Sequence, residues 1–303
     1  MKISLIMEGG FLRGAFSVGA LKALREMGLR SVDHATGSSG GIGVLAYYVS
    51  GQFEQGINIM PNELPNPKFI NLKRFFHALF YKAHLMDVDY LIDTVFKKKA
   101  PLSENKIRNS RIRFFVPLTN ANNDGGSYFD NHTYTKNTDV DFFEILRASM
   151  AVPLMYNKTI TINNEEYFDG AFFDTLPLGI PEIRDSKKII ILTKPDDINV
   201  ISYWLKAGIR LFSYRMSRQI RKSYFAHNKR ISEFYKKCFE LEKQGNTLLI
   251  KPKRIFHTFN NNKKVIEDVI ECGYRETLNN QKAKDFLASL TEKDRKGCLM
   301  EPV

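Results

Sequence analysis

The sequence predicts an α/β fold in which a parallel sheet is covered by helices. The first 50 residues alternate twice between a short apolar strand, a glycine-rich turn and a helix, as parallel strands joined by crossover helices do. Residues 187–193 (KKIIILT) predict a further buried strand. The chain has 303 residues, 43% hydrophobic and 26% charged. These ordinary values exclude a disordered, collagen-like or coiled-coil protein.

The elements follow from apolar spacing and from the turn residues between them. The N-terminal elements are predicted as a strand at 2–7, a turn at 8–14, a helix at 15–27, a strand at 32–36, a turn at 37–41 and a buried helix at 42–49. The later ones are a helical region at 52–110, strands at 111–119 and 127–130, a helix at 141–150, a hairpin at 159–162 and 165–168, and the strand at 187–193.

After Pro195 the pattern becomes mostly helical and basic. We therefore expect a catalytic domain at 1–195, including a helical cover at about 52–110, and an extension at 196–303. No apolar run approaches the roughly 20 residues that span a bilayer, and the N-terminal apolar stretch is too short for a secretory signal. We expect a cytoplasmic protein, with export by a signal-independent route left open.

The net charge of +12 is concentrated in one segment. Residues 206–254 hold 14 Lys or Arg against 3 Asp or Glu, whereas the remainder holds 31 against 30. Such a block is either a solvated helix face or a contact for an anionic partner. Because no nucleic-acid-binding motif occurs, we expect peripheral contact with an anionic membrane rather than with nucleic acid. The sequence indicates no oligomeric state.

The cysteines give no sign of a metal centre or a disulfide framework. Cys238, Cys272 and Cys298 are odd in number and widely spaced, which is typical of reduced thiols. We expect no metal and no cofactor.

A Gly-x-Ser-x-Gly sequence places Ser39 between a predicted strand and a predicted helix. A serine at such a turn is exposed on a strained backbone that only small neighbours permit, here Gly37, Ser38, Gly40 and Gly41. The following helix directs its N–H groups and its positive dipole end at the serine. A flexible Ser/Gly loop is the alternative, but the flanking elements favour a nucleophile elbow.

The other glycine-rich turn also lies between a strand and a helix, and comprises Gly9, Gly10, Phe11, Leu12, Arg13 and Gly14. Glycines let the backbone approach a ligand, so that N–H groups can hold an anion. The dinucleotide pattern G-x-G-x-x-G fails at Phe11, and no phosphate-binding P-loop occurs. The turn therefore predicts an oxyanion hole.

A serine nucleophile needs a base. None of the six histidines lies in a small-residue turn after a strand, so each is interpreted as a surface residue: His34, His77, His84, His132, His227 and His257. Asp169 follows a predicted strand and precedes Gly170 and Ala171, which leaves its carboxylate room to face another group. An isolated Asp-Gly-Ala is also a common turn.

In combination, these segments resemble the bacterial patatin-like phospholipases. The resemblance rests on MEGGFLRG at 7–14, GSSGG at 37–41, ASMAVPLMY at 148–156 and YFDGAFFDTLPLG at 167–179. LEKQGNTLLIKP at 241–252 and GYRETL at 273–278 resemble the extension of one bacterial branch.

The resemblance implies a three-layer α/β/α hydrolase with a central, mostly parallel sheet and a mainly helical C-terminal extension. It implies a dyad in which Ser39 is the nucleophile and Asp169 the base, with the loop at 9–14 as oxyanion hole. Family members have a third glycine where this chain has Phe11. The N–H survives, but the freedom to adopt positive φ is lost. We therefore expect a different turn, or a hole formed mainly by Gly10 and its neighbours. Arg13 is expected to steady the loop, with a phosphate contact as the alternative.

The predicted function is hydrolysis of lipid esters, either phospholipid or lysophospholipid, without metal. Two alternatives stay open: a Ser-His-Asp esterase that uses His227 or His257, and a non-catalytic lipid- or nucleic-acid-binding protein on a degenerate hydrolase fold.

Two apolar features have both a packing and a lipid interpretation. The first is an apolar cluster that forms either ordinary core or an acyl channel with a lid: Phe75, Phe76, Leu79, Phe80 and Tyr81. The second is the amphipathic segment 201–224, which is either a helix packed on the catalytic domain or a helix in the membrane interface.

Overall fold

A computed structural model describes residues 2–71, 84–132, 140–196, 210, 213, 216–256 and 262–290. Its centre is an eight-stranded sheet. The strands are β1 (Ile3–Met7), β2 (His34–Gly37), β3 (Arg113–Asn120), β4 (Gly126–Asp130), β5 (Ile160–Ile162), β6 (Glu165–Asp169), β7 (Lys187–Ile191) and β8 (Thr247–Ile250).

The described helices are α1 (Gly14–Glu26), α2 (Gly40–Val49), α3 (Phe53–Ile57), α4 (Ile59–Glu63), α5 (Glu104–Arg108), α6 (Phe142–Ser149), α7 (Pro181–Arg184), α8 (Arg218–Lys243), α9 (Lys263–Leu278) and α10 (Gln281–Ala288). A π-helix, Tyr90–Lys99, lies between α4 and α5. Side-chain caps begin the long C-terminal helices: Ser217 accepts from the Ile220 N–H at α8, and Asn262 from the Lys264 N–H at α9.

The strand order is β5-β6-β3-β2-β1-β7-β8, with β4 also beside β3. The five strands from β3 to β8 along this path pair in parallel, whereas β4, β5 and β6 are joined by antiparallel pairing. Leu5 in the centre pairs with Ala35 on one side and with Ile189 on the other. Parallel strands buried on both faces are rich in apolar residues, which explains the run of three isoleucines, 189–191, in β7.

Both faces of the sheet are covered. Leu5 and Met7 of β1 point into a large core that includes α1, α2, α6 and α9, whereas Ile6 points into a second core against α8. Tyr235 and Cys238 are the buried α8 residues of that second core. This arrangement confirms the predicted three-layer α/β/α fold with a mostly parallel sheet.

The C-terminal segment is helical, but it also completes the sheet. β8 pairs in parallel with β7, and α9 crosses α1 at backbone contact. A Cβ placed on Gly19 would lie 1.9 Å from the Ile270 carbonyl oxygen, and one on Gly273 would lie 2.2 Å from that of Phe16. Residues on both sides of position 195 therefore share one sheet and one core.

Two sequence-based interpretations fall outside the described residues. These are the aromatic cluster at 75–81 and most of the amphipathic segment 201–224, of which residues 210, 213 and 216–224 are described.

Candidate active site

Ser39 occupies the turn between β2 and α2 in a strained conformation. Its φ of 49° and ψ of −131° are rare for a residue with a side chain. The turn is packed against the Met7 carbonyl oxygen, which would lie 2.4 Å from a Cβ on Gly37 and 2.9 Å from one on Gly41. At Gly40 a Cβ would have no neighbour within 4 Å. Two of the three motif glycines are thus required by close packing.

The loop after β1 lies against this turn. The Gly9 N–H donates to Ser38 Oγ at 3.1 Å, and a Cβ on Gly9 would lie 2.7 Å from the Ser38 carbonyl oxygen. On its other side, Gly10 contacts the Thr193 side chain so closely that a Cβ would lie 2.5 Å from Oγ1. The two glycines are therefore held between the elbow and the segment that follows β7.

Phe11 keeps the left-handed conformation that glycine would favour, with φ of 56°. This conformation costs a residue with a side chain about 1–2 kcal/mol. The Gly9 N–H is bonded to Ser38, and the Arg13 N–H donates to the Gly10 carbonyl at 3.0 Å. Phe11 and Leu12 are the loop residues that line the cleft together with Ser39.

Asp169 ends β6 and is completely buried. Its backbone carbonyl accepts from Thr119 Oγ1 at 2.7 Å, and its Oδ1 accepts from the Ala171 N–H at 2.8 Å. The next residue must be glycine, because a Cβ on Gly170 would lie 1.9 Å from the Pro117 carbonyl oxygen. The Asp-Gly-Ala sequence therefore forms a rigid turn that fixes the carboxyl group.

Ser39 and Asp169, 130 positions apart in the sequence, are neighbours in the fold. Burial raises the pKa of Asp169 from 3.8 to about 7, while the Ser39 hydroxyl and the Ala171 N–H oppose this rise. Asp169 Oδ2 is nevertheless buried without a hydrogen bond of ordinary geometry. The hydroxyl and the carboxyl group thus interact although Oδ2 has no hydrogen bond of ordinary geometry.

An apolar cleft opens at Ser39. Besides Phe11, Leu12 and Ser39, its lining is formed by α2, by residues between α3 and the π-helix, and by Met150: Gly40, Gly43, Val44, Tyr47, Gly56, Ile59, Met60, Leu64, Phe69, Met86, Leu91, Phe96 and Met150. The space between these atoms, including the open mouth, is about 650 Å³. The described part of the predicted cover at 52–110 thus forms one wall of this cleft.

A family model described as patatin-like phospholipase matches residues 5–181, a range that includes Ser39 and Asp169. The chain belongs to the patatin-like phospholipase family. The family resemblance seen in the sequence is thereby confirmed.

Two relatives extend the comparison. An uncharacterised protein of Escherichia coli K12, YjjU, is 22% identical over 209 residues, which are 68% of this patatin-like chain and 56% of YjjU. The match thus spans little more than half the length of that relative. The crystal structure of VipD from Legionella pneumophila superposes with a TM-score of 0.51 at 12% identity, covering 94% of this chain and 67% of VipD. At that identity the likeness shows the fold alone.

The surface interpretation is wrong for two histidines of this patatin-like chain. His34 is 3% exposed in β2 and bonds Ser4 Oγ at 3.1 Å. His227 lies on α8 with its ring centroid 4.7 Å from that of Phe172, and its Nδ1 is buried without a hydrogen bond. Burial lowers the pKa of His227 to about 4, so its imidazole is neutral at pH 7. The local sequence does not reveal that these two histidines are covered, because the residues that cover them come from other segments.

The other described histidines are partly buried. His84 stacks on Tyr156, and His132 Nε2 lies 2.7 Å from the Ser110 carbonyl oxygen. His77 and His257 lie outside the described residues.

Neither a metal site nor a membrane span occurs in the described ranges. No three His, Cys, Asp or Glu side chains there are arranged to hold a metal ion. No helix among those described is both long enough and apolar enough to cross a bilayer.

Sequence reasoning missed three residues beside the glycine-rich loop: Glu8, Thr193 and Tyr235. Glu8 is only 3% exposed although it is acidic. Its position between an apolar strand and a glycine turn was an available signal, but its partners come from 185 and 227 residues away along the chain.

Proposed function

We propose that this protein hydrolyses lipid acyl esters with Ser39 as nucleophile and Asp169 as its base. One observation carries the proposal. The buried Asp169 carboxyl group, whose Oδ2 has no hydrogen bond, lies beside Ser39, which has a strained backbone and lines an apolar cleft. A pKa of about 7 makes Asp169 a far stronger base than an ordinary carboxylate. Membership of the patatin-like phospholipase family supports the same reaction class.

In the first step, the Ser39 hydroxyl gives its proton to Asp169 while Oγ bonds to the ester carbonyl carbon. The carbonyl oxygen becomes an oxyanion, which backbone N–H groups of the loop at 9–14 and the N-terminus of α2 stabilise. Collapse of this intermediate breaks the bond to the alcohol. The leaving alkoxide takes the proton from Asp169 and leaves an acyl group on Ser39.

In the second step, water attacks the acyl-enzyme. Asp169 accepts a proton from the water as its oxygen bonds to the acyl carbon, and the tetrahedral intermediate then expels Ser39 Oγ. The proton returns to Oγ, and a free carboxylic acid leaves. No histidine is needed in either step.

The cleft supports an aliphatic acyl chain as the substrate portion bound next to Ser39. Its walls are aliphatic, aromatic or thioether side chains apart from the serine, the glycines and Tyr47. Burial of each CH₂ in such a cleft contributes about 0.8 kcal/mol. A fatty-acyl ester of a phospholipid or lysophospholipid therefore suits this cleft better than a short polar ester.

The test combines active-site labelling with a substrate panel. We expect a fluorophosphonate probe to label the wild-type protein at Ser39, and phospholipids, lysophospholipids and monoacylglycerols to release fatty acid. Labelling absent from intact, folded protein would favour the non-catalytic lipid-binding alternative.

One observation keeps the triad alternative worth testing: His227 contacts the turn that follows Asp169. We expect His227→Gln to retain activity within a few-fold. A loss comparable with that of Ser39→Ala would assign the base to His227 instead.

We also propose that α8 contacts anionic membranes. Its exposed side chains repeat at helical spacing and form one basic face around an exposed phenylalanine: Arg218, Lys222, Phe225, Lys229, Lys236 and Lys243. Glu233 and Glu240 interrupt it, and Asp124 forms an ion pair with Lys222. The first turns of α8 pack beside Phe172, close to Asp169. Each basic side chain near an anionic surface contributes about 1 kcal/mol.

Vesicle co-sedimentation tests this contact. We expect binding to vesicles that contain phosphatidylglycerol, weaker binding at high salt, and little binding to phosphatidylcholine alone. The double variant Lys229→Glu/Lys236→Glu should lose binding, whereas Lys264→Glu/Lys284→Glu, with equal charge change on α9 and α10, should not. If both double variants bind the vesicles equally, α8 does not contact the membrane.

A further inference from the structure

We propose that Tyr235 of α8 is a positioning residue for the oxyanion loop and acts through Glu8. This inference rests on the proposed function, because it assigns the loop at 9–14 to oxyanion binding. It adds a role for a C-terminal helix outside the matched family region of residues 5–181. The three side chains Glu8, Thr193 and Tyr235 are called the Glu8 clamp below.

The Glu8 carboxylate is the centre of the clamp. It accepts from the Thr193 N–H at 2.6 Å and from the Thr193 hydroxyl at 2.8 Å. The Tyr235 hydroxyl lies 3.0 Å from Oε1 and 2.9 Å from Oε2, and donates its single proton to one of them. All three residues are at most 3% exposed. A buried carboxylate with these donors is fixed in position.

The clamp is connected directly to the loop. Glu8 immediately precedes Gly9, and its own N–H donates to the Ile191 carbonyl at 2.9 Å, which continues the β1–β7 pairing. Thr193 contacts Gly10 and lies 3.3 Å from the Gly9 carbonyl oxygen through Oγ1. A shift of the Glu8 carboxylate would therefore move Gly9 and Gly10 relative to Ser39.

Charge explains why the hydroxyl of Tyr235 matters. Arg13, at the other end of the loop, is also buried, and burial lowers its pKa while Glu8 raises it. The Glu8 carboxylate thus acts electrostatically on a buried cation of the loop, and the Tyr235 hydroxyl is the donor that reaches Glu8 from α8. Removing a donor to a buried charge leaves that charge partly unsatisfied. The carboxylate is then held on the Thr193 side alone and gains freedom to rotate.

The Tyr235→Phe variant tests the proposal because it removes the hydroxyl and retains the buried ring. We expect kcat to fall about tenfold with KM nearly unchanged, since displacements of catalytic groups by ~1 Å cost up to about a hundredfold. Tyr274→Phe is the matched control, because it removes a phenol hydroxyl that bonds Glu26 at the surface. We expect this control to keep wild-type kcat.

A double-mutant cycle separates action through Glu8 from a general effect on the fold. In a Glu8→Gln background, Tyr235→Phe should reduce kcat by less than twofold further, because the carboxylate it positions is gone. If the reduction in kcat of the double variant equals the product of the reductions in the two single variants, the proposal is overturned. Thr193→Val, which removes only the hydroxyl donor to Glu8, provides the same comparison if Tyr235→Phe does not fold.

Hydrogen exchange gives a readout that needs no activity. We expect Tyr235→Phe to speed amide exchange in a peptide spanning residues 8–14 while the β7 and α2 peptides are unchanged. Wild-type exchange and wild-type kcat would overturn the proposal, and so would faster exchange with unchanged kcat. If the wild-type protein hydrolyses no lipid ester, the proposed function is contradicted instead. In that case, the amide exchange of residues 8–14 in Tyr235→Phe alone shows whether Tyr235 positions the loop.

Discussion

The Ser39 hydroxyl lowers the pKa of Asp169 although Asp169 Oδ2 has no hydrogen bond of ordinary geometry. One oxygen of the carboxyl group is fixed by the Ala171 N–H, and the other is buried and unbonded. Unsatisfied buried oxygens are rare because they destabilise a fold by about 1–3 kcal/mol. Catalytic hydrogen bonds are often long before substrate binds. A buried Oδ2 without a hydrogen bond is therefore suited to accept the proton of Ser39.

Removal of either group should abolish esterase activity. We expect Ser39→Ala and Asp169→Asn each to lower kcat by about a thousandfold or more, since one loses the nucleophile and the other the base. Initial rates on a chromogenic fatty-acyl ester measure the loss. Asp174→Asn is the control, as it neutralises another buried carboxyl group five residues along, hydrogen-bonded to Tyr128. Substantial activity in either dyad variant would remove that residue from the mechanism.

The pH dependence should report the pKa of Asp169. Only the ionised carboxylate can accept the serine proton, so kcat/KM should rise with pH and level off above about 7. Asp174 has a pKa raised by burial to about 6 and is the main competing explanation. Asp174→Asn should therefore leave the midpoint near 7. A midpoint near 4 in wild-type protein would contradict the burial argument.

Asp169 should make the fold less stable at alkaline pH. Its pKa is higher in the folded chain than in the unfolded chain, so its stabilising contribution is complete below 3.8 and lost as pH rises through about 7. Asp169→Asn has no such loss. We expect the variant to gain about 2–4 kcal/mol relative to wild type between pH 4 and pH 8.5, as measured by urea unfolding. A difference independent of pH would show that Asp169 is not buried as a carboxylic acid.

Phe11 should combine backbone strain with a role in the cleft wall. Phe11→Ala and Phe11→Gly both remove the ring that stacks on Phe69, but only glycine relieves the φ of 56°. The glycine variant should be more stable than the alanine variant by about 1 kcal/mol. Both should change the acyl-chain-length profile.

The control is the pair Leu154→Ala and Leu154→Gly. Leu154 also has a positive φ, of 69°, but it does not line the cleft. This pair should show the stability difference without the change in profile. Equal stability of Phe11→Gly and Phe11→Ala would mean that the loop is not strained at this position.

The crossing of α1 and α9 should tolerate no added methyl group. Gly273→Ala would place a carbon against the Phe16 carbonyl, and we expect it to destabilise the protein by about 1–3 kcal/mol. Thermal unfolding measures the effect. Gly179→Ala, where a Cβ has no neighbour within 4 Å, should change stability little, and similar values for both variants would contradict backbone contact at the crossing.

The sequence predicted most of the fold because its strands are buried runs with clear turn residues. The predicted strands at 2–7 and 187–193 match β1 and β7 within two residues. It did not reveal β8, because TLLI is only four residues long and lies in a basic, helical context. Its identity as a strand depends on pairing with β7, about 60 residues earlier.

The candidate site was predicted to the extent that its residues carry local signals. Small residues around Ser39 and after Asp169 are required by close backbone contacts, so the motifs are visible in the sequence. The sequence does not single out Glu8 and gives no sign that His227 is buried, because the surroundings of both residues come from distant segments. Burial of a charged or polar side chain is decided by what packs on it, which neither composition nor periodicity records.

The position of β7 and β8 beside β1 has a practical consequence for anyone shortening the protein. Cutting the chain at residue 181, the end of the recognised family region, would delete both strands and leave β1 as an exposed edge strand. Unpaired N–H and C=O groups along an apolar strand invite self-association. Expression of such a fragment should therefore give insoluble material, even though it would retain every segment that defines the family.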